Sequence, residues 1–283
     1  MAETSLRSTQ MSQSPHMIAL RTWRHNLVLA LASLPMLLFL LVPLVALVVR
    51  VSPSMLLATL VGREVSQALS LSMLTTAISM SLAVLGGTPV AYLLARRQFR
   101  GRAVLDTLID LPMVLPPSVA GIALLIAFGR RGLLGHYLSD ASIEVAFTQT
   151  AVVLAQTFVA APLYVKSAIA GFASVDRELE QAAALDGASS LGVFRYVTLP
   201  LAWPALFGGA VMTWARALGE FGATIIFAGN FPGRTQTMPL AIYIGFELEL
   251  NVALTLAIVL LAISFGVLFV VKGLLHQRAN FMR

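Results

Sequence analysis

The chain has 283 residues, of which 58% are hydrophobic and 11% charged, with a net charge of +6 and no cysteine. Soluble domains carry about 25% charged residues, so this composition excludes a normally solvated globular fold. The missing cysteines exclude disulfides, thiolate metal centres and Cys nucleophiles.

Crossing a ~30 Å hydrocarbon core takes about 20 apolar residues, and six such runs are expected in an all-α membrane protein. Residues 1–25 form a polar, Ser- and Gln-rich segment that ends on Arg21 and Arg24. The apolar run at about 27–49 is too long for a signal-peptide core and lacks a small-residue cleavage site, which predicts an uncleaved first span. With an external loop it makes up residues 26–62, ahead of a transmembrane core at 63–272 and a tail at 273–283. The second span, about 66–95, runs into "RRQFRGR" (Arg96 to Arg102), a cluster expected to anchor topology on the cytoplasmic side.

The third span, about 104–128, contains "DLPMVLPPSVAG". Pro112, Pro116 and Pro117 each remove a backbone donor and restrict the residue before them, so the helix should break or kink there. Within a membrane such breaks survive only when buried in protein or lining a cavity. The three prolines are therefore candidates for lining a pathway, with a packing kink as the alternative. Asp106 and Asp110 at the start of this span are expected to interact with the positive helix N-terminus. An irregular outer segment, Gly129 to Phe147, leads to a fourth span at about 147–172.

The stretch "ELEQAAALDGASSLGVFRYVTLPLAWPAL" (Glu178 to Leu206) interrupts the apolar pattern. Its Ala-rich start favours helix, and Gly187 permits a sharp turn. Apolar residues Leu191, Val193, Phe194 and Val197 then resume a helical spacing, and Pro200 and Pro204 are expected to end it and open the next span. Two short helices meeting at a glycine would present small residues and a few apolar knobs to a soluble partner. Gln181-Ala182-Ala183, Gly187 and Val197-x-Leu199-Pro200 resemble the "EAA" loop of ABC importer permeases. Gln181 stands where the family pattern has Glu, with Glu178 and Glu180 flanking it, and Val197 replaces Ile. The resemblance implies an ATPase-coupling loop over 174–203, carried by Glu180, Gln181, Ala182, Ala183, Gly187, Leu199 and Pro200.

The fifth span, about 204–228, holds Arg216 and Glu220 four residues apart, on one helix face and near mid-depth. A mutually neutralising structural pair and a pathway-facing arginine both remain open. Beyond it, "GNFPGRTQTMPLAIYIGFELE" (Gly229 to Glu249) opens with turn residues and predicts a short helix from Met238, ahead of a sixth span at about 251–272. Six crossings put both termini on one side. With that side cytoplasmic, 13 of the 19 Lys and Arg are retained inside, which favours N-in, C-in and makes a nucleic-acid surface the poorer account of the charge.

"RALGEFGATIIFAGNFPGRTQTMPLAIY" (Arg216 to Tyr243), with "LPMVLPPSVAG" and "FGRRGLLG", resembles the molybdate permeases, relatives of the sulfate permeases. The resemblance implies a type I ABC importer permease core in a bacterial inner membrane. It implies a homodimer that pairs with two ATP-binding cassette subunits and receives oxyanion from an external molybdate-binding protein, with sulfate and tungstate as alternative substrates. ATP and Mg would be bound by the partner, since the chain has no G-x-x-x-x-G-K-[ST]. No catalytic residue, metal site or bound cofactor is expected. The sequence holds no H-E-x-x-H or G-x-S-x-G, and its four histidines are scattered outside the spans.

Overall fold

The computed structural model describes residues 15–281, with the side chains of residues 28–271 apart from His136. Residues 1–14 and 282–283, which include Arg7 and Arg283, lie outside the described residues. So do the side chains of Arg21, Arg24, Lys272, Arg278 and the four histidines. Two units divide at Ser52 and Pro53. The first holds α1 (Pro15–Arg50), whose stretch Val28–Arg50 is long and apolar enough to cross a membrane.

The second unit begins with α2 (Pro53–Leu60), α3 (Arg63–Arg96), α4 (Arg102–Val114), α5 (Pro117–Phe128), α6 (Gly135–Asp140) and α7 (Gln149–Ala173). It continues with α8 (Arg177–Leu185), α9 (Ser190–Val193), a π turn (Phe194–Thr198), α10 (Leu199–Leu218), α11 (Gly222–Phe227), α12 (Met238–Leu248) and α13 (Leu250–Phe281). All regular structure among the described residues is helical. Five helices can each cross a membrane, and α4 with α5 forms a sixth candidate, bent by 114°.

That bend is the break the prolines predict, and it turns the chain far more sharply than a simple kink. Leu115 and Pro116 each precede a proline, and both have extended backbone, with ψ of 136° and 135°. A residue before proline cannot readily adopt the helical region, so two in succession reverse the chain direction. Pro112 behaves differently: it stays inside α4, and the chain breaks one turn later. The fifth span also differs. It starts earlier, as one continuous run from Ser190 to Leu218, and it breaks at Gly219–Phe221 before α11. Pro200 therefore does not end the loop helix. It lacks an N–H for the carbonyl four residues back, and the π turn just before it, with Leu199 N–H donating to Phe194 O, widens the helix there.

α7 is the centre of the unit. Towards the α8–α9 end it packs on α3 and α10, burying Ala83, Ala91, Tyr164, Phe172, Ala202 and Leu206 together. Towards the other end it packs on α5 and α11, burying Ala120, Leu124, Val152, Val159, Ala223 and Phe227. The α7–α10 crossing is close because small residues face each other. A Cβ on Gly209 would stand 2.6 Å from Ser167 Cβ, and one on Gly171 would stand 2.6 Å from Ala205 Cβ. Membrane helices, which gain nothing from expelling water between them, associate through such backbone approach and through interhelical hydrogen bonds. The latter are present: Ser167 Oγ donates to Ala205 O at 2.7 Å, Ser79 Oγ donates to Val153 O at 3.0 Å, and the Thr88 and Tyr164 hydroxyls meet at 2.6 Å. The short helix expected from Met238 is α12, and its first N–H, that of Met238, is satisfied by Ser72 Oγ of α3 at 2.7 Å.

Candidate functional site

The interrupting stretch folds as one short helix, α8, that turns at Gly187 into α9, and α9 is the first turn of the long run to Leu218 and not a separate short helix. Asp176 caps α8 by accepting the Glu178 N–H at 2.9 Å, and Ser189 caps α9 by accepting the Gly192 N–H at 3.2 Å. α8 closes in a Schellman motif: Ala188 N–H donates to Ala183 O at 3.0 Å and Gly187 N–H to Ala184 O at 3.1 Å. Gly187 takes the left-handed conformation this motif needs, with φ of 91°. A Cβ there would meet nothing within 4 Å, so backbone conformation, not crowding, is what selects glycine.

One residue of the loop faces inward. Glu180 Oε1 accepts from Arg96 Nη2 at 2.8 Å and from the buried Thr198 hydroxyl at 2.6 Å. Arg96 also donates to Val175 O at 3.2 Å. These bonds tie α8 to the end of α3 and to the π turn. The side chains of Arg96 and Glu180 are only 9% and 17% exposed, so the pair is a fixed structural joint. Beneath it Tyr92 meets Phe172 and Phe194 edge to face, with ring centroids 5.4 and 5.1 Å apart. Gln181, Ala182 and Gly187 are exposed and Ala183 half-buried, while Leu199 and Pro200 lie in the first turn of α10, half-buried and exposed respectively. Leu185, Leu191 and Tyr196 project beside them as exposed apolar knobs. The sequence read Arg96 only as part of a topology anchor and did not single out Thr198, because their shared partner lies 84 and 18 residues away and no spacing rule connects them.

The second group of candidates gathers where two spans are interrupted. A Cβ on Gly222 would stand 2.6 Å from Pro117 Cβ, so the start of α11 lies against the start of α5. Gly121 of α5 is equally close to Ala223 O, at 2.8 Å from its would-be Cβ. The structure thus brings Pro116 and Pro117 together with the Gly219–Phe221 break. Pro112 remains a turn away inside α4, half-buried.

Arg216 and Glu220 do pair, with Nη1 to Oε2 at 2.8 Å, but not along one unbroken helix face. α10 stops at Leu218, and the pair spans its end. Arg216 lies about 25 Å along α10 from Leu199 at ~1.5 Å per residue, near the end of α10 that leads into the break. Glu220 is 1% exposed, and its other oxygen accepts the Ala223 N–H at 2.8 Å, satisfying a free donor of α11. Arg216 keeps 35% of its side chain exposed. A charged side chain facing lipid at depth costs at least about 2.5–3.5 kcal/mol on insertion scales, so that exposed part faces water or protein.

A third ionic cluster replaces the expected helix-dipole role of Asp106 and Asp110. Lys166 Nζ of α7 reaches Asp106 Oδ1 at 2.7 Å and Asp110 Oδ2 at 2.9 Å. An opposite charge at contact distance outweighs the partial charge of a helix end, whose effect fades within the first turn.

Residues 87–279 match the family described as "Binding-protein-dependent transport system inner membrane component". The molybdenum transport system permease protein of Mycobacterium tuberculosis is 46% identical over 228 residues, 80% of this chain and 86% of its own. A probable molybdenum ABC transporter permease of Haloferax volcanii is 41% identical over 254 residues, 89% of this chain and 91% of its own. The fold is shared with a chain of a bacterial ABC transporter that imports alginate, at a TM-score of 0.68 and 14% identity over 91% of this chain and 96% of that one. It is also shared with the MetNI methionine ABC transporter, at a TM-score of 0.56 and 17% identity over 80% and 99% of the two chains. A family pattern spanning most of the second unit, relatives matched along most of their length and an all-helical fold with five or six crossings lead to one conclusion: the chain belongs to the binding-protein-dependent transport system inner membrane components, the permease subunits of ABC transporters.

Proposed function

We propose that this chain is the permease of an ATP-driven importer that passes molybdate from an external binding protein to the cytoplasm. The observation that carries the reading is the 46% identity, over 86% of its length, to a molybdenum transport permease. Tungstate and sulfate are the competing substrates, because both are tetrahedral dianions and selection would rest largely with the binding protein.

The chain would act as a homodimer with two ATP-binding cassette subunits, which bind ATP and Mg. The α8–α9 loop would seat each ATPase subunit, with its exposed Gln181, Ala182, Leu185, Leu191 and Tyr196 entering the partner's surface and its inward Glu180 fixing the loop to the bundle. The distribution of Lys and Arg supports an N-in, C-in orientation, which puts this loop in the cytoplasm and α6 outside. One of the alginate structures includes a periplasmic protein, which supports a binding protein docking on the α6 face.

The test is uptake of labelled molybdate and sulfate by a deletion strain with and without the gene, alongside the activity of a molybdenum-cofactor enzyme at low molybdate. Deletion is expected to abolish high-affinity molybdate uptake. Loss of sulfate uptake with molybdate uptake intact sinks the molybdate assignment.

A further inference from the structure

Two interrupted spans meet in the unit, and both breaks carry exposed residues. Pro116, Pro117 and Ser118 at the start of α5 are exposed, and so is Gly219 at the end of α10. The contact of Gly222 with Pro117 holds the two breaks together. Chain that leaves its helix within a membrane cannot face lipid, because its N–H and C=O groups would go unsatisfied. These residues therefore face water or a second copy.

Arg216 belongs to the same break. Among the described residues its ion-pair partner is Glu220, reached through one guanidinium nitrogen, Nη1. No nitrogen of Arg216 is both sealed and unpartnered, unlike Nε of Arg96, so the nitrogens that Glu220 does not hold keep some access, consistent with the side chain's 35% exposure. Glu220 is sealed, and both of its oxygens are occupied, by Arg216 and by the Ala223 N–H. The carboxylate thus fixes the guanidinium and lowers its net charge without competing for an incoming ligand.

We infer that Arg216 is an oxyanion contact in the translocation pathway, offering the free edge of its guanidinium to a tetrahedral dianion that passes the two breaks. The inference rests on the importer reading given above. A planar fork of donors fits two oxygens of such an anion at once. The buried Glu220 keeps the contact weak, which passage requires. In a two-fold dimer the contact occurs twice, once per copy.

The chain has no cysteine, so single thiols report cleanly. Ser118→Cys, in the full permease–ATPase complex in membranes, is exposed to methanethiosulfonate reagents of matched size, one anionic and one cationic. The anionic reagent is expected to react at least about tenfold faster, and added molybdate or sulfate to slow it. Adding Arg216→Gln should abolish that preference, and Arg216→Lys should restore part of it. Labelling by neither reagent, or a charge preference that Arg216→Gln leaves unchanged, overturns the inference. If Arg216→Gln prevents copurification of the ATPase, the decision falls to the Ser118→Cys charge preference and its slowing by oxyanion, and failure of either overturns the inference. Uptake by the wild-type complex separates the two readings. Sulfate transport in place of molybdate removes the substrate assignment while the thiol rates still decide the role of Arg216.

Discussion

Arg96 and Glu180 stand 84 residues apart in the chain and meet at 2.8 Å, the one ending α3 and the other holding α8. Thr198 donates to the same carboxylate oxygen, so three elements share one acceptor. Glu180→Ala leaves the guanidinium and a buried hydroxyl without their partner. A cost of about 1–3 kcal/mol is expected. It should appear as a lower unfolding temperature in detergent and faster proteolysis within 174–203. Glu180→Gln should cost less, since an amide oxygen can still accept from Thr198. A double-mutant cycle with Arg96→Ala measures the coupling, and a coupling near zero contradicts the joint.

Gly187 is selected by its φ of 91° and not by its surroundings, which are open. Gly187→Ala should therefore fit while straining the turn by about 1–2 kcal/mol. Gly187→Asn should be milder, and a β-branched residue worse. Gly187→Trp adds a ring to the exposed face and is expected to abolish ATPase copurification while membrane insertion persists. Normal ATP-dependent uptake by that variant removes the loop from the coupling role.

At the paired breaks, Gly222→Ala would set a new methyl 2.6 Å from Pro117 Cβ. Overpacking of this kind costs about 1–3 kcal/mol and should push α5 and α11 apart. The expected result is a lower unfolding temperature together with slower uptake. A variant with wild-type values of both shows that the two breaks need not touch.

Orientation is open to single-cysteine labelling. Ser139→Cys and Pro232→Cys, both exposed positions, should react with an impermeant reagent from outside, and Ser190→Cys should not. Thr235, which sequence alone places in the same outer loop as Pro232, is unsuitable because it is fully buried and its hydroxyl accepts the Phe231 N–H at 3.1 Å. External labelling of Ser190→Cys in sealed cells reverses the topology.

The spans were readable because lipid imposes long apolar runs, and the loop was readable because it breaks them with Ala, Gly and polar residues. What escaped reading was set by contacts distant in sequence. The prolines announce a break in the third span, but they do not give its 114° angle. The break after Leu218 has no proline to announce it, and it is held by the Glu220 carboxylate on the Ala223 N–H. Asp106 and Asp110 looked like dipole partners because Lys166, 60 residues from Asp106, gives no local sign of reaching them. Arg216 and Glu220 were paired correctly by their spacing, yet the helix end between them could not be seen from that spacing.

The run from Ser190 to Leu218 is 29 residues of uninterrupted helix, about 43 Å at ~1.5 Å per residue. One end is the exposed α9 of the α8–α9 loop and the other carries Arg216. A hydrogen-bonded rod transmits a push along its length, and a break absorbs it. A displacement applied to α9 would travel along this helix towards Gly219, where the break gives α10 and α11 a place to change their angle. In that case the helix would work as a lever arm, with its handle at the loop and its joint beside the guanidinium.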